Sequence, residues 1–272
     1  MQPLPKPPLK PLIEVRHVRK TFGTKVALDD VTFTVEQGKT FVILGSSGGG
    51  KSTLLRIMIG AEPADSGEVI LDGTDITKAD EDEMATARRK FGVLFQEGAL
   101  LGSLTVGENV ALPIRYHTNL PQRTIDIMVK MKLELVGLRE ADKKLPSQLS
   151  GGMRKRAALA RAIALDPLII FYDEPSSGLD PVATAVISQL INDMKGKMGL
   201  TNVVITHDIQ SAFEIADHVV LLHRGKIAAQ GSVQEILQNE DPLVRQFITG
   251  SATGPLEIRS TEGEYYNDLL NL

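Results

Sequence analysis

Thr40-Phe41-Val42-Ile43-Leu44-Gly45-Ser46-Ser47-Gly48-Gly49-Gly50-Lys51-Ser52-Thr53-Leu54-Leu55-Arg56-Ile57-Met58 decides the fold. Thr40 to Leu44 is a continuous apolar run of strand length that ends at a glycine, so it reads as a buried strand feeding a loop. Beyond the loop, Leu54, Leu55, Met58 and Ile59 recur at helical spacing until Gly60 and Pro63 end the helix. Strand, glycine loop and helix in that order are the setting a phosphate loop needs, and Gly45 to Ser52 matches its pattern. The glycines let backbone N–H groups curl around phosphate oxygens, the helix N-terminus adds a positive dipole end, and Lys51 supplies a point charge. The Ser52 hydroxyl is placed for Mg²⁺.

Working outward, Ile13 to Val18 reads as a first strand, and Val31 to Val35 alternates at strand period before the turn Gln37-Gly38-Lys39. Phe91 to Phe95, Leu168 to Tyr172, Val203 to Thr206 and His218 to Leu222 are short apolar runs separated by helical segments. That alternation predicts an α/β core with a largely parallel sheet. Residues from about 100 to 165 differ, with helical periodicity over Thr124 to Leu135 and Arg154 to Leu165, and read as a mostly helical subdomain inserted into a main domain spanning 12–240. A proline-rich lead-in occupies residues 1–11. After Asp241 a short helix to Ile248 opens an extension over 241–272, with Gly250, Gly254 and Pro255 ahead of a polar tail.

Composition removes several function classes. With 30 basic and 34 acidic residues the formal net charge is −4, so no basic field draws in nucleic acid. The chain has no cysteine, which excludes disulfides, thiolate catalysis and sulfur-ligated metals. Its apolar runs fall short of the roughly 20 residues that span a bilayer. Pro3, Pro5, Pro7, Pro8 and Pro11 interrupt any signal-peptide core. A cytoplasmic address is expected.

A phosphate loop by itself fits a kinase, a GTPase, a helicase or a transporter ATPase, so the residues that hold magnesium and polarise water must discriminate. Ile169-Ile170-Phe171-Tyr172-Asp173-Glu174 ends an apolar strand in two carboxylates. That suits Asp173 as a ligand in the Mg²⁺ shell and Glu174 as the base on the attacking water; alone, it would also suit a solvated turn. Leu149-Ser150-Gly151-Gly152-Met153 precedes a helix, placing Ser150 and two backbone amides at a second ready-made anion site.

A Leu-Ser-Gly-Gly sequence before a helix, downstream of a phosphate loop, resembles the signature of the ABC ATPase family. The likeness covers Leu12 to Asn239 and implies a P-loop NTPase fold of the ABC type: a RecA-like core, an antiparallel β subdomain and an inserted helical subdomain. By that resemblance ATP and Mg²⁺ are the ligands, and Gly45, Ser46, Ser47, Gly48, Gly49, Gly50, Lys51, Ser52 and Thr53 hold the nucleotide. Gln96 matches the Q-loop, where it contacts Mg²⁺ or water and relays the state of the site. Ser177-Gly178-Leu179-Asp180 matches the D-loop, and His207 the switch histidine that supports the transition state. Phe22 aligns with the aromatic that stacks on adenine, or else belongs to the core. The family pairs two subunits head to tail, so that Ser150, Gly151 and Gly152 of one act on the ATP of the other. Met153, where the family has glutamine, and Gly49, where serine or threonine is common, depart from its pattern without removing a group that touches phosphate.

Phe95-Gln96-Glu97-Gly98-Ala99-Leu100-Leu101, Gly107-Glu108-Asn109-Val110-Ala111-Leu112-Pro113 and Gly151 to Ala162 are similar to the ATPases of bacterial MCE-type lipid transporters, most of all the Mla phospholipid system. That likeness implies a peripheral subunit on the cytoplasmic face of an inner membrane. It would pair with an integral membrane permease and a STAS-domain small subunit, and serve a periplasmic MCE protein indirectly. Leu100 and Leu101 either contact the permease or belong to the core. Tyr265, Tyr266, Leu269 and Leu270 either anchor the tail on the partner subunit or fray.

Overall fold

The structure, a computed structural model, describes residues 11–256. Strands β1 (Pro11–Phe22) and β2 (Lys25–Glu36) form a long hairpin, and β3 (Thr40–Leu44) leads through the glycine loop into helix α1 (Lys51–Met58). Short strands β4 (Ser66–Leu71) and β5 (Thr74–Asp75), helix α2 (Glu81–Arg88) and strand β6 (Phe91–Leu94) follow. The chain then runs through α3 (Val106–His117), α4 (Gln122–Leu135) and α5 (Gly151–Ala162). It returns as β7 (Ile169–Asp173), α6 (Pro181–Met198), β8 (Thr201–Thr206), α7 (Ile209–Ile215), β9 (His218–His223) and β10 (Lys226–Gly231), and closes with α8 (Val233–Gln238) and α9 (Pro242–Thr249). Pro11, read from sequence as the end of the lead-in, already belongs to β1. The tail residues Tyr265 to Leu270 lie outside the described residues.

One sheet is antiparallel, in the order β2-β1-β4-β5; the other has six strands, β10-β9-β3-β8-β7-β6, parallel throughout except for the edge strand β10. Because β3 lies between two parallel neighbours, both its faces are covered and its five residues are all buried. Alternate strand residues serve opposite faces. Val42, Leu44, Ile170, Tyr172 and Val204 join a core with α3, α4, α5, α6 and α7. Phe41, Ile43, Phe171, Val203 and Ile205 join a second core with α1 and the antiparallel sheet. The phosphate-loop helix α1 and the signature helix α5 therefore lie on opposite sides of the parallel sheet.

Parallel register brings the sequence motifs to one edge. Leu44 pairs with Thr206, Asp173 with Ile205, and Tyr172 with Leu94. One or two residues further on, Gly45, His207, Glu174 and Gln96 all emerge beyond the carboxyl ends of their strands, the edge where open α/β sheets bind ligands.

Candidate active site

The phosphate loop is built by close approach of backbones. A Cβ at Gly45 would sit 2.2 Å from the Leu222 carbonyl oxygen, and one at Gly50, where φ is +104°, 2.5 Å from the Ala27 carbonyl oxygen. Only glycine fits at either position. Lys51 is buried, and its Nζ donates to the carbonyls of Gly45 at 2.7 Å and Ser46 at 3.1 Å, so the cation is already inside the loop. Burial lowers its pKa, against the pull of Glu174 and Asp173. Ser52 is exposed and Thr53 half-buried in the first turn of α1. Ser46, Ser47, Gly48 and Gly49 line a cleft with Arg224 and with Phe247 and Leu256 of the C-terminal extension, which thus borders the loop.

Glu174 is held in an uncommon conformation. Its φ is +48°, left-handed and costly for a residue with a Cβ. The Thr206 hydroxyl donates to Oε2 at 3.2 Å, the His207 backbone N–H at 3.4 Å, and His207 Nδ1 lies 2.9 Å from the same oxygen. An ionised carboxylate only accepts, so Nδ1 carries the proton and leaves Nε2 of the exposed ring as the free nitrogen. Among the described residues Oε1 has no hydrogen-bond partner and no buried side-chain polar atom lacks one, so Oε1 is open to water. One oxygen is fixed and the other is available to take a proton from water.

Asp173 is half-buried next to Glu174. Desolvation and the neighbouring carboxylate raise its pKa, against Arg56, Lys51 and Lys155. Ser52, Gln96 and Asp173 offer the oxygen donors that Mg²⁺ takes, and the crowded negative charge at 173 and 174 is what a cation would relieve. Among the described residues no cluster of His, Cys, Asp and Glu could hold a metal by itself. An ion held by Ser52, Gln96 and Asp173 would complete its shell with phosphate and water oxygens and, when bound, would neutralise charge on the phosphates. A consequence follows for stability. The unfolded chain releases the Asp173 proton at lower pH than the folded chain, so ionisation at this position costs stability once pH has risen through the raised pKa. Asp173→Asn is expected to raise the melting temperature of the nucleotide-free protein at neutral pH, with the gain fading in acid, while lowering ATP turnover about 10- to 100-fold. Melting curves across pH and a phosphate-release assay check both halves.

Gln96 is exposed, and its Nε2 lies 3.4 Å from the Ser177 hydroxyl, joining the Q-loop and D-loop positions. Asp180 caps α6 by accepting from the Ala183 N–H at 2.9 Å. Ser150 caps α5 in the same way, its hydroxyl accepting from the Met153 N–H at 3.2 Å, which leaves the N–H groups of Gly151 and Gly152 free at the helix start. These three residues line a cleft with Gly178, Leu179 and Asp180 that contains no residue of the phosphate loop. Met153 packs against the core instead of presenting a polar group. Phe22 is 48% exposed at the end of β1, with the Lys20 ammonium 5.2 Å from its ring centroid, so it is not a core residue. Leu100 packs on the core and Leu101 is 46% exposed, so of the pair only Leu100 is a core residue.

Three polar side chains around the site are ones the motif reading does not assign. Arg161 donates to the Gly98 and Ala99 carbonyls at 2.8 and 2.6 Å, and the fully buried Asn109 accepts from the Leu101 N–H at 2.8 Å while its amide donates to three carbonyls. Together they hold the loop after Gln96 to α5 and α3. Lys155 reaches the carbonyl of Glu174 at 2.9 Å. The available signal was charge within an alanine-rich buried helix: Lys155 and Arg161 share α5 with Ala157, Ala158 and Ala160.

A strand, glycine loop and helix with paired carboxylates at the end of the second strand along the same sheet define a P-loop nucleoside triphosphatase. Comparison with known proteins narrows the class. The ABC transporter family model matches residues 28–177. The Escherichia coli intermembrane phospholipid transport system ATP-binding protein MlaF is 46% identical over 95% of this chain and 96% of its own length. A Mycobacterium tuberculosis protein described as a probable ribonucleotide transport ATP-binding protein, mkl, is 44% identical over 94% of this chain and 72% of its own length. A solved dimeric post-hydrolysis state of the ATP-binding cassette MJ0796, bound to ADP and Pi, superposes with a TM-score of 0.76 at 32% identity, over 81% of this chain and 98% of that one. The chain belongs to the ABC transporter family, as an ATP-hydrolysing subunit.

Proposed function

We propose that this chain drives phospholipid transport across a bacterial envelope as a head-to-tail pair on the cytoplasmic face of the inner membrane. Each ATP would lie between the loop Gly45 to Thr53 of one chain and Ser150 to Gly152 of the other, with Glu174 as base and His207 supporting the transition state. Ser52, Gln96 and Asp173 would hold Mg²⁺, Phe22 would stack on adenine, and Gln96 and Asp180 would couple the site to its surroundings. The observation that carries the composite site is the separation of its halves within one chain, in different clefts and on helices packed to opposite sides of the sheet. No helix among the described residues is long and apolar enough to cross a membrane, so transport would need an integral permease. A STAS-domain subunit and, indirectly, a periplasmic MCE protein would complete the assembly.

Phospholipid is favoured by the match with MlaF over nearly the full length of both proteins. The name of the mycobacterial relative points to ribonucleotides instead. Purifying the Glu174→Gln chain with its membrane partners and identifying the bound solute by mass spectrometry separates the two. Copurifying phospholipid and an MCE protein is expected; a complex carrying nucleotide cargo and no lipid overturns the lipid reading.

A further inference from the structure

Lys155 is 6% exposed, and its bond to the Glu174 carbonyl is the only hydrogen bond of its ammonium among the described residues. Among the described residues no carboxylate lies within ion-pair distance; Glu97, Glu174 and Asp173 attract it only from further away, and burial lowers its pKa despite them. A buried ammonium with one neutral partner costs stability that an apolar side chain in the same alanine-lined position would not. Packing therefore does not account for a lysine here.

The carbonyl it reaches belongs to the left-handed Glu174. That residue is pinned three ways: its N–H donates to the Ile205 carbonyl at 2.8 Å, and its own carbonyl accepts from the Ser177 N–H at 3.2 Å as well as from Lys155. Ser177 in turn faces Gln96. The peptide that sets the direction of the Glu174 side chain is thus gripped from the D-loop on one side and from α5 on the other. Lys155 lies little more than one turn past Ser150, so a displacement of that helix start moves the grip directly.

We propose that Lys155 is a positioning residue, tying the signature helix of each chain to the backbone of that chain's own Glu174. Seating the partner's ATP on Ser150 to Gly152 then aligns the carboxylate that serves the chain's own ATP, and the two sites of the pair fire together. The proposal rests on Glu174 being the base.

Lys155→Met keeps the length of the stem and removes the donor; Lys155→Gln keeps a donor. Lys155→Met is expected to lower kcat about tenfold or more through misplacement of the base, with KM for ATP within about twofold and the melting temperature not lowered. Sites that fire together should give the unmutated pair a sigmoidal dependence of rate on ATP, which Lys155→Met should flatten, while Lys155→Gln recovers most of kcat. Binding of a fluorescent ATP analogue should be unchanged in both. Unaltered kcat and cooperativity in Lys155→Met overturn the proposal, as does an equal loss in both variants accompanied by a lowered melting temperature. Lys155→Leu takes the place of Lys155→Met if the latter does not fold. Glu174→Gln measured in parallel separates the two failures: near-normal turnover in it removes the base assignment, whereas an inactive Glu174→Gln beside a fully active Lys155→Met removes the tie alone.

Discussion

Glu174→Gln is expected to lower steady-state ATP turnover by about 10²- to 10⁴-fold, the usual worth of a positioned general base. ATP affinity should stay close to that of the unmutated chain. The amide has the size of the carboxylate, and its oxygen can still accept from the Thr206 hydroxyl and the His207 N–H that now hold Oε2. The left-handed backbone at 174 is retained, because its carbonyl contacts with Lys155 and Ser177 do not involve the side chain. What disappears is the free oxygen able to take a proton. With binding intact and hydrolysis blocked, paired chains should accumulate with ATP between them, visible as a nucleotide-dependent shift to larger size in size-exclusion chromatography. Turnover near the unmutated rate would show that the proton goes elsewhere, with His207 the next group to test.

The chemistry-bearing motifs were legible in the sequence because each depends on a few neighbouring residues: a strand that ends in glycines, a strand that ends in two carboxylates, a serine and two glycines before a helix. Parallel register then needed only the alternation of strands and helices to bring them together. The first two strands of the antiparallel sheet were read too short, for a local reason, and β4 and β5 were not read at all. Alternation breaks at His17 and Asp30, both with positive φ at register shifts in the β1–β2 hairpin and paired through His17 Nδ1 and Asp30 Oδ1 at 2.7 Å. Bulges of this kind move later residues to the other face, so a strict period of two stops there. Helix α3 carries Pro113 near its end, which argues against a helix when read locally; its tertiary contacts with α4 and α5 override that. Charge within the alanine-rich helix α5 marks Lys155 and Arg161 as unusual, but the carbonyls that they and Asn109 grip were not legible, since these bonds join residues far apart in the chain, or side chain to backbone, and no spacing rule records that.

Two inactive chains are expected to restore activity when paired, provided they fail in different halves of the site. Lys51→Ala removes the cation held by the Gly45 and Ser46 carbonyls and leaves the signature untouched. Gly151→Asp does the reverse. A Cβ there meets only Leu179 Cδ2 at 3.5 Å and Arg154 Nη2 at 4.0 Å, ordinary contacts, and an acidic residue suits the first turn of a helix, so the chain should fold. Its carboxylate would instead oppose phosphate at the free N–H groups of α5. Each variant paired with itself should fall about 10²-fold or more, the scale for losing a charge-stabilising group from a transition state. Coexpression with two affinity tags isolates the mixed pair. There, one site combines the altered loop with the altered signature and is dead, while the other combines two unaltered halves. Turnover of the mixed pair should reach about half that of the unmutated pair if the sites act independently, and less if they must fire together, but stay far above either variant alone. If each chain instead closed its own loop on its own signature, every site in the mixture would carry a defect and nothing would be restored. The placement of α1 and α5 on opposite sides of the sheet argues for restoration, because a single chain would have to bring its signature around the sheet to reach its own loop.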